Sequence, residues 1–309
     1  MLPDFHIPGP HLHTNSGSIG WTCPGVYAEA ILNGSGFELC VKGEGRALRV
    51  SIDGKPFEVF PLPTGVVKYR WTDLPKGQHL IRIQTICQDA HGFFEIISCN
   101  SLLEGMFGPA PQPRKRHLEF VGDSWSSGYG NRSSEWLDSD CTLAFPALVA
   151  QALDADYSLF AISGFGIAKN FGEIPPSADS LVDRYPEANS TLQQNPVDQV
   201  FVLAGENDFS FSPIPTTETF VARYRELLQK VRTRHPKVQL NILVVERPHD
   251  AAKFTEQVYL EELRAGNQDV HMIRLPNLNP LLPLGFQWHP SLAHHHQLAQ
   301  NILNQLPKI

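Results

Sequence analysis

Residues 117–131 read HLEFVGDSWSSGYGN, a short apolar run that stops at Gly122-Asp123-Ser124 and reaches a second glycine at Gly128. A buried strand that meets glycine and then serine can present a hydroxyl at the mouth of a parallel sheet. The same letters also make an ordinary turn. The sequence on either side decides between the two.

Downstream, short apolar runs alternate with helical patterns. TLAFPALVAQAL (142–153) has helical spacing, with Pro146 tolerated near the first turn. DYSLFAISG (156–164) and DQVFVLAGEND (198–208) read as strands. ETFVARYRELLQKVRTRH (218–235) lines up Phe220, Tyr224, Leu227, Leu228 and Val231 on one helical face. Strand VQLNILVVERP, helix KFTEQVYLEELRAG, strand VHMIRLP and helix SLAHHHQLAQNILNQL complete the chain. Strands that are nearly all apolar and alternate with helices predict a parallel sheet covered on both faces, an α/β three-layer domain over 117–309.

Upstream the pattern differs. AEAILNGSGFELCVKGEGRALRVSIDGKPFEVFPL (28–62) gives short strands separated by Asn-Gly, Gly-Glu-Gly and Asp-Gly. SIDGKPF (51–57) is the clearest hairpin signal. No helix is expected before about residue 135, apart from a weak turn near Tyr27. The expectation is an all-β sandwich or jelly roll over 1–110. FGPAPQPRKRH (107–117) carries three prolines and a basic cluster, so 111–116 reads as a linker.

The 309 residues are 42% hydrophobic and 18% charged, with a net charge of −7. No basic face suggests a nucleic-acid partner, and no apolar run has the length of a membrane span. The N-terminus lacks a basic n-region and an apolar h-region, so the chain reads as cytoplasmic, or as secreted if a leader is missing from the start. Five scattered cysteines, Cys23, Cys40, Cys87, Cys99 and Cys141, match neither a zinc site nor a disulfide framework and read as free thiols. Oligomeric state is not readable.

In an open parallel sheet, ligands bind beyond the carboxyl ends of the strands. Four strand ends or loops on that edge carry chemistry. Ser124 supplies a hydroxyl. Gly164 offers an unobstructed backbone N–H, and Asn207 a side-chain N–H. His289 precedes the final helix and has the near-neutral pKa that a base requires. A hydroxyl nucleophile, a base and oxyanion donors are what acyl transfer needs, and no metal or cofactor is called for. Taken singly these residues are ordinary turn or cap residues; together they form a pattern.

The blocks GDSWSSG (122–128), SGFG (163–166), GEND (205–208) and WHPS (288–291), in this order, resemble those of the SGNH, or GDSL-like, hydrolases. The resemblance implies Ser124 as nucleophile and His289 as base. It implies Ser124, Gly164 and Asn207 as the oxyanion hole, with Gly166 a rival to Gly164. The β-rich half, with IDGKPF (52–57) and LPKGQHLIRIQT (74–85), makes the whole chain similar to carbohydrate esterase family 2, a jelly roll joined to an SGNH domain. That implies removal of acetyl groups from saccharides. One departure stands out: many SGNH enzymes carry Asp three residues before the histidine, and here that residue is Phe286. Some family members work with a Ser–His dyad and a backbone carbonyl holding the histidine. The expectation is therefore a carbonyl near Trp288, with Glu246 and Asp250 as the carboxylates to check.

Trp288, Phe209 and Trp125 are candidates for lining the pocket, among aromatics that include Trp136, Phe165 and Phe211. A pocket walled by large aromatics favours acetyl over long acyl chains. His294, His295 and His296 are consecutive on a helix and point about 100° apart, so they cannot converge on one ion; His294 alone could approach the site. Asp123 reads as a turn-stabilising acceptor. Two rival readings remain: a saccharide-binding protein of the same architecture without catalysis, and a short-chain esterase acting on a non-sugar metabolite.

Overall fold

The computed structural model describes the chain except for residues 1, 44–45, 56–57, 87–92, 134–137, 189, 247–249 and 307–309, so Cys87 and Trp136 lie outside the described residues. The chain divides into two compact units, Met1–Lys115 with Thr191–Asn195, and Arg116–Ser190 with Pro196–Ile309.

The first unit contains two five-stranded antiparallel sheets. One is built from β1 (Leu12–His13), β2 (Ile19–Trp21), β4 (Phe37–Lys42), β7 (Val66–Trp71) and β9 (Phe94–Ser101), in the order β1-β2-β9-β4-β7. The other contains β3 (Tyr27–Gly34), β5 (Arg46–Ile52), β6 (Glu58–Leu62), β8 (Gly77–Thr85) and β10 (Met106–Phe107), in the order β10-β3-β8-β5-β6. Trp21, Leu32, Phe37, Ile81, Phe94 and Ile96 are buried in this unit. The Asp-Gly hairpin forms as the sequence predicts. Asp53 and Gly54 both take positive φ (56° and 68°), the type I′ geometry that matches strand twist, and β5 pairs with β6. The weak turn expected near Tyr27 is not helical: Tyr27 begins β3, because the alternating apolar residues that follow pair along β8.

The second unit carries β11 (His117–Gly122), α1 (Ser124–Ser127), α2 (Phe145–Ala152), β12 (Asp156–Ala161), α3 (Leu181–Arg184) and β13 (Gln199–Leu203). It continues with α4 (Thr217–Arg234), β14 (Gln239–Val245), α5 (Ala251–Arg264), β15 (Val270–Leu275) and α6 (Leu292–Gln305). Its sheet is wholly parallel, in the order β12-β11-β13-β14-β15. Every residue of β11 and β12 is buried, including the polar His117, Glu119, Asp156 and Ser158. The five residues aligned on α4 from the sequence are all buried, and Val221 joins them. The expectation of one continuous domain over 117–309 misses one feature. Residues 191–195 belong with the first unit, where Gln193 exchanges two backbone hydrogen bonds with His11 and Asn195 donates to the Pro8 carbonyl.

The chain runs from β11 outward to β12 on one side, then returns to β13 on the other. The order of the sheet therefore reverses between β11 and β13, and the crevice above that pair is where a ligand fits in such a sheet. Ser124 follows β11 and Asn207 follows β13.

Candidate active site

The turn after β11 is tight. A Cβ on Gly122 would lie 2.2 Å from Ser126 Oγ and 2.6 Å from the Leu203 carbonyl, so only glycine fits. Asp123 caps α1, its Oδ1 accepting from the Trp125 N–H at 3.1 Å, and so acts as the local acceptor that the sequence suggests. The outcome is a serine at the first position of a short helix, directly above the sheet.

His289 reaches it from the other end of the chain. Its Nε2 is 2.8 Å from Ser124 Oγ. Its Nδ1 lies 3.0 Å from the Phe286 carbonyl and 3.1 Å from the Gln287 carbonyl. Carbonyls only accept, so Nδ1 carries the proton and Nε2 is left as the acceptor for the serine hydroxyl. That is the tautomer a base requires. The loop presenting these carbonyls holds Gln287 and Trp288 at positive φ (46° and 62°), a conformation that costs energy in residues other than glycine. It is clamped to the loop after α1. Phe286 N–H donates to the Gly130 carbonyl at 3.0 Å, and Leu292 N–H to that of Asn131, also at 3.0 Å. The Tyr129 ring stands edge-on to His289 at 4.8 Å.

Asn207 Nδ2 donates to the Phe165 carbonyl at 2.8 Å and lies 3.4 Å from Asp123 Oδ2. Gly164 takes a φ of +81°, and a Cβ there would come no nearer than 3.9 Å to Phe171. Among the described residues, the N–H groups of Ser124 and Gly164 have no acceptor. The two candidate glycines differ in this respect. Gly166 N–H is taken by Asn170 Oδ1 at 3.1 Å, and its missing Cβ makes room for the Lys169 carbonyl and for Asp208. Gly166 is a packing position, and Gly164 has the free donor.

Asp208, next to Asn207, is a functional residue for which the linear sequence carries no signal. Its fully buried carboxylate accepts from the N–H groups of Ile167 (2.8 Å), Ala168 (2.7 Å) and Lys169 (2.9 Å). It thereby fastens the loop that carries Gly164. Burial pushes its carboxyl up to about 6, against the opposing pull of those donors.

A cleft of about 330 Å³ opens over Ser124, Asn207 and His289. Trp125, Phe209 and Trp288, the three expected lining residues, border it, and Phe171, Glu206 and Gln287 join them. Trp288 is 79% exposed and Phe171 59%, whereas Trp125 is 5% exposed. Phe209 also packs on Phe254 (5.2 Å) and Phe220 (5.7 Å), and Phe211 packs edge-on against Phe171. Phe165 contributes its carbonyl, to Asn207. Glu246 and Asp250 are both exposed. His294 does not approach the site: Nδ1 meets Ser291 Oγ and Nε2 the Asn279 carbonyl. His295 is buried, with Nδ1 accepting from the Phe145 N–H at 3.2 Å, and burial lowers its pKa to about 3.

A serine hydroxyl, an imidazole and unengaged N–H groups gathered at the switch point of a parallel sheet are the kinds of group that acyl transfer requires. The chain belongs to the GDSL-like lipase/acylhydrolase family, whose model matches residues 120–301. Residues 12–111 match the carbohydrate esterase 2 N-terminal domain, so the two-part architecture is that of a carbohydrate esterase. The chain is 29% identical over 93% of its length to an acetylxylan esterase/glucomannan deacetylase of Cellvibrio japonicus, covering 84% of that protein. It is 27% identical over 82% of its length to the cellulase/esterase CelE of Acetivibrio thermocellus, and spans a third of that longer protein. A family two carbohydrate esterase from Clostridium thermocellum, solved in complex with cellohexaose, superposes with a TM-score of 0.89 at 21% identity, over 97% of each chain. Among the described residues, no helix is long and apolar enough to cross a membrane.

Proposed function

We propose that the chain is a serine esterase that removes short acyl groups, acetyl first among them, from saccharides by means of a Ser124–His289 dyad. The observation that carries this is the 2.8 Å contact from Ser124 Oγ to a His289 ring whose other nitrogen is held by main-chain carbonyls. His289 Nε2 takes the hydroxyl proton as Oγ attacks the ester carbon. The negative charge that develops on the carbonyl oxygen is met by the N–H groups of Ser124 and Gly164, and by Asn207 Nδ2 once its second hydrogen leaves the 3.4 Å contact with Asp123. His289 then returns the proton to the departing sugar oxygen. A water molecule, deprotonated by the same imidazole, resolves the acyl-enzyme. The Phe286 and Gln287 carbonyls do part of what a side-chain acid does elsewhere: they fix the ring and its tautomer.

Trp288 and Phe171 supply exposed ring surface beside the nucleophile, suited to the apolar face of a pyranose. The two relatives, an acetylxylan esterase/glucomannan deacetylase and a cellulase/esterase, support a saccharide acceptor.

The test is hydrolysis of p-nitrophenyl acetate and of acetylated xylo- and gluco-oligosaccharides by the parent protein and by Ser124→Ala. The expected result is a loss of kcat of at least about 10³-fold in a variant that unfolds at the parent temperature. Activity within tenfold of the parent would overturn the dyad. Saccharide binding without serine-dependent turnover would make this a binding protein.

A further inference from the structure

Beside the cleft lies a second, smaller cavity. It sits above the carboxyl ends of β13 and β14 and beneath the start of α5, with about 30 Å³ of free space, room for one or two water-sized groups. Its lining is mostly aliphatic, including Leu203, Leu243, Val244 and Ala252. Trp125 and Glu206 border both this cavity and the cleft, and among the described residues no others do. Trp125 is the residue next to the nucleophile, and it is 5% exposed.

The two sides of the cleft are not equivalent. Trp288, Phe171 and Gln287 are exposed and form its open side. That side has room for the larger, saccharide part of an ester, which leaves the buried wall, where Trp125 stands, for the acyl group.

We propose that Trp125 is the residue that determines acyl-chain length: its indole closes the cleft against the cavity behind it, and shortening it opens a channel for linear acyl chains of four carbons. This rests on the esterase reading given above. One extra methylene in an apolar pocket is worth about 10- to 200-fold in kcat/KM, so the effect of opening the channel is readable.

The experiment compares kcat/KM for p-nitrophenyl acetate and butyrate in the parent, Trp125→Ala, Trp125→Leu, and Trp125→Ala combined with Ala252→Leu, which refills the cavity. The expected result is a butyrate-to-acetate ratio at least about tenfold above the parent in Trp125→Ala, with a smaller gain in Trp125→Leu and reversal in the double variant. An unchanged ratio in a folded Trp125→Ala or Trp125→Leu overturns the proposal, as does a gain that the double variant retains. If the parent shows no serine-dependent turnover, the esterase reading fails while the channel remains testable. In that case the affinities of sodium acetate and sodium butyrate are measured by NMR titration in the same four proteins. Tighter butyrate binding confined to the opened variants supports the channel, and no change in its affinity overturns it.

Discussion

The carbonyl oxygen of Phe286 lies 3.0 Å from His289 Nδ1, while the Phe286 side chain packs on Tyr129 with ring centroids 5.6 Å apart. The acceptor that Phe286 offers Nδ1 is therefore main chain. Replacing the side chain should leave it in place. Phe286→Leu is expected to lower kcat by less than about tenfold, against the roughly 10⁴-fold loss when the acid of a Ser-His-Asp site is replaced. The measurement is the pH–rate profile of the variant. A shift of its acidic limb together with a large loss of kcat would show that the ring is held by something other than this carbonyl.

The carbonyl itself is held by a close crossing of two backbones. A Cβ on Gly130 would fall 2.3 Å from Phe286 Cβ, and one on Gly285 would fall 2.3 Å from the Gly130 carbonyl. Gly130 also sits at a φ of +57°. Gly130→Ala should push the 285–289 segment away from Ser124. A displacement of an ångström at the reacting groups can cost about 10²-fold, so kcat is expected to fall by about that factor with KM nearly unchanged. Steady-state kinetics with a near-UV spectrum of the folded variant provide the check.

Asp208 accepts from three consecutive N–H groups, and a smaller side chain leaves all three without an acceptor in a buried place. Asp208→Ala is expected to destabilise by about 3 kcal/mol or more. That corresponds to a Tm roughly 6–12 °C lower for a unit of this size. Because the same loop carries Gly164, kcat should fall as well. Asp208→Asn keeps one accepting oxygen and should recover part of both losses. A scan and a kcat determination on the two variants decide it.

His295 makes stability depend on pH in a defined direction. Burial holds its folded pKa at about 3, while the unfolded chain titrates near the ordinary 6.5. Below pH 6.5 the unfolded state gains a proton that the native state refuses, so stability is lost as pH falls. By pH 4.5 the loss is about 3 kcal/mol at 1.36 kcal/mol per unit. Asp208 works the other way. Its folded pKa of about 6 lies above the ordinary carboxylate value of 3.8, so its contribution is fully present below about pH 4 and is lost as pH rises through 6. His295→Gln, which can still accept from Phe145, should therefore close on the parent in stability by about 3 kcal/mol between pH 7 and pH 4.5. Denaturant midpoints at the two pH values test this. A constant gap would show that His295 titrates in the native state as it does in the unfolded chain.

Much of this chain was legible in one dimension. Periodicity separated the alternating strands before residue 110 from the apolar strands after 117. Asp53-Gly54 specified a hairpin because a type I′ turn needs two residues that tolerate positive φ. Ser124, Gly164, Asn207 and His289 could be gathered on one edge because a parallel sheet brings all its carboxyl ends together. Those inferences rest on local rules: turn chemistry, side-chain spacing and the direction of parallel strands.

What the linear order left open were contacts made by backbone and by residues far apart in the chain. The letter Phe at 286 states that a side-chain acid is missing; only the folded loop shows that the same residue's carbonyl faces the ring. Gly164 and Gly166 are interchangeable as letters, and the fold separates them because one N–H is occupied and the other is not. Asp208 carries no distinguishing mark in the linear order, and its role is visible only in its three acceptor contacts with residues some forty positions earlier. Residues 191–195 carry no pattern that assigns them to the first unit, since an isolated backbone pairing has no side-chain signature. The sequence determined which groups stand at the sheet edge. The tertiary structure decided which of their atoms face each other, because hydrogen-bond geometry depends on tenths of an ångström that only the packed backbone defines.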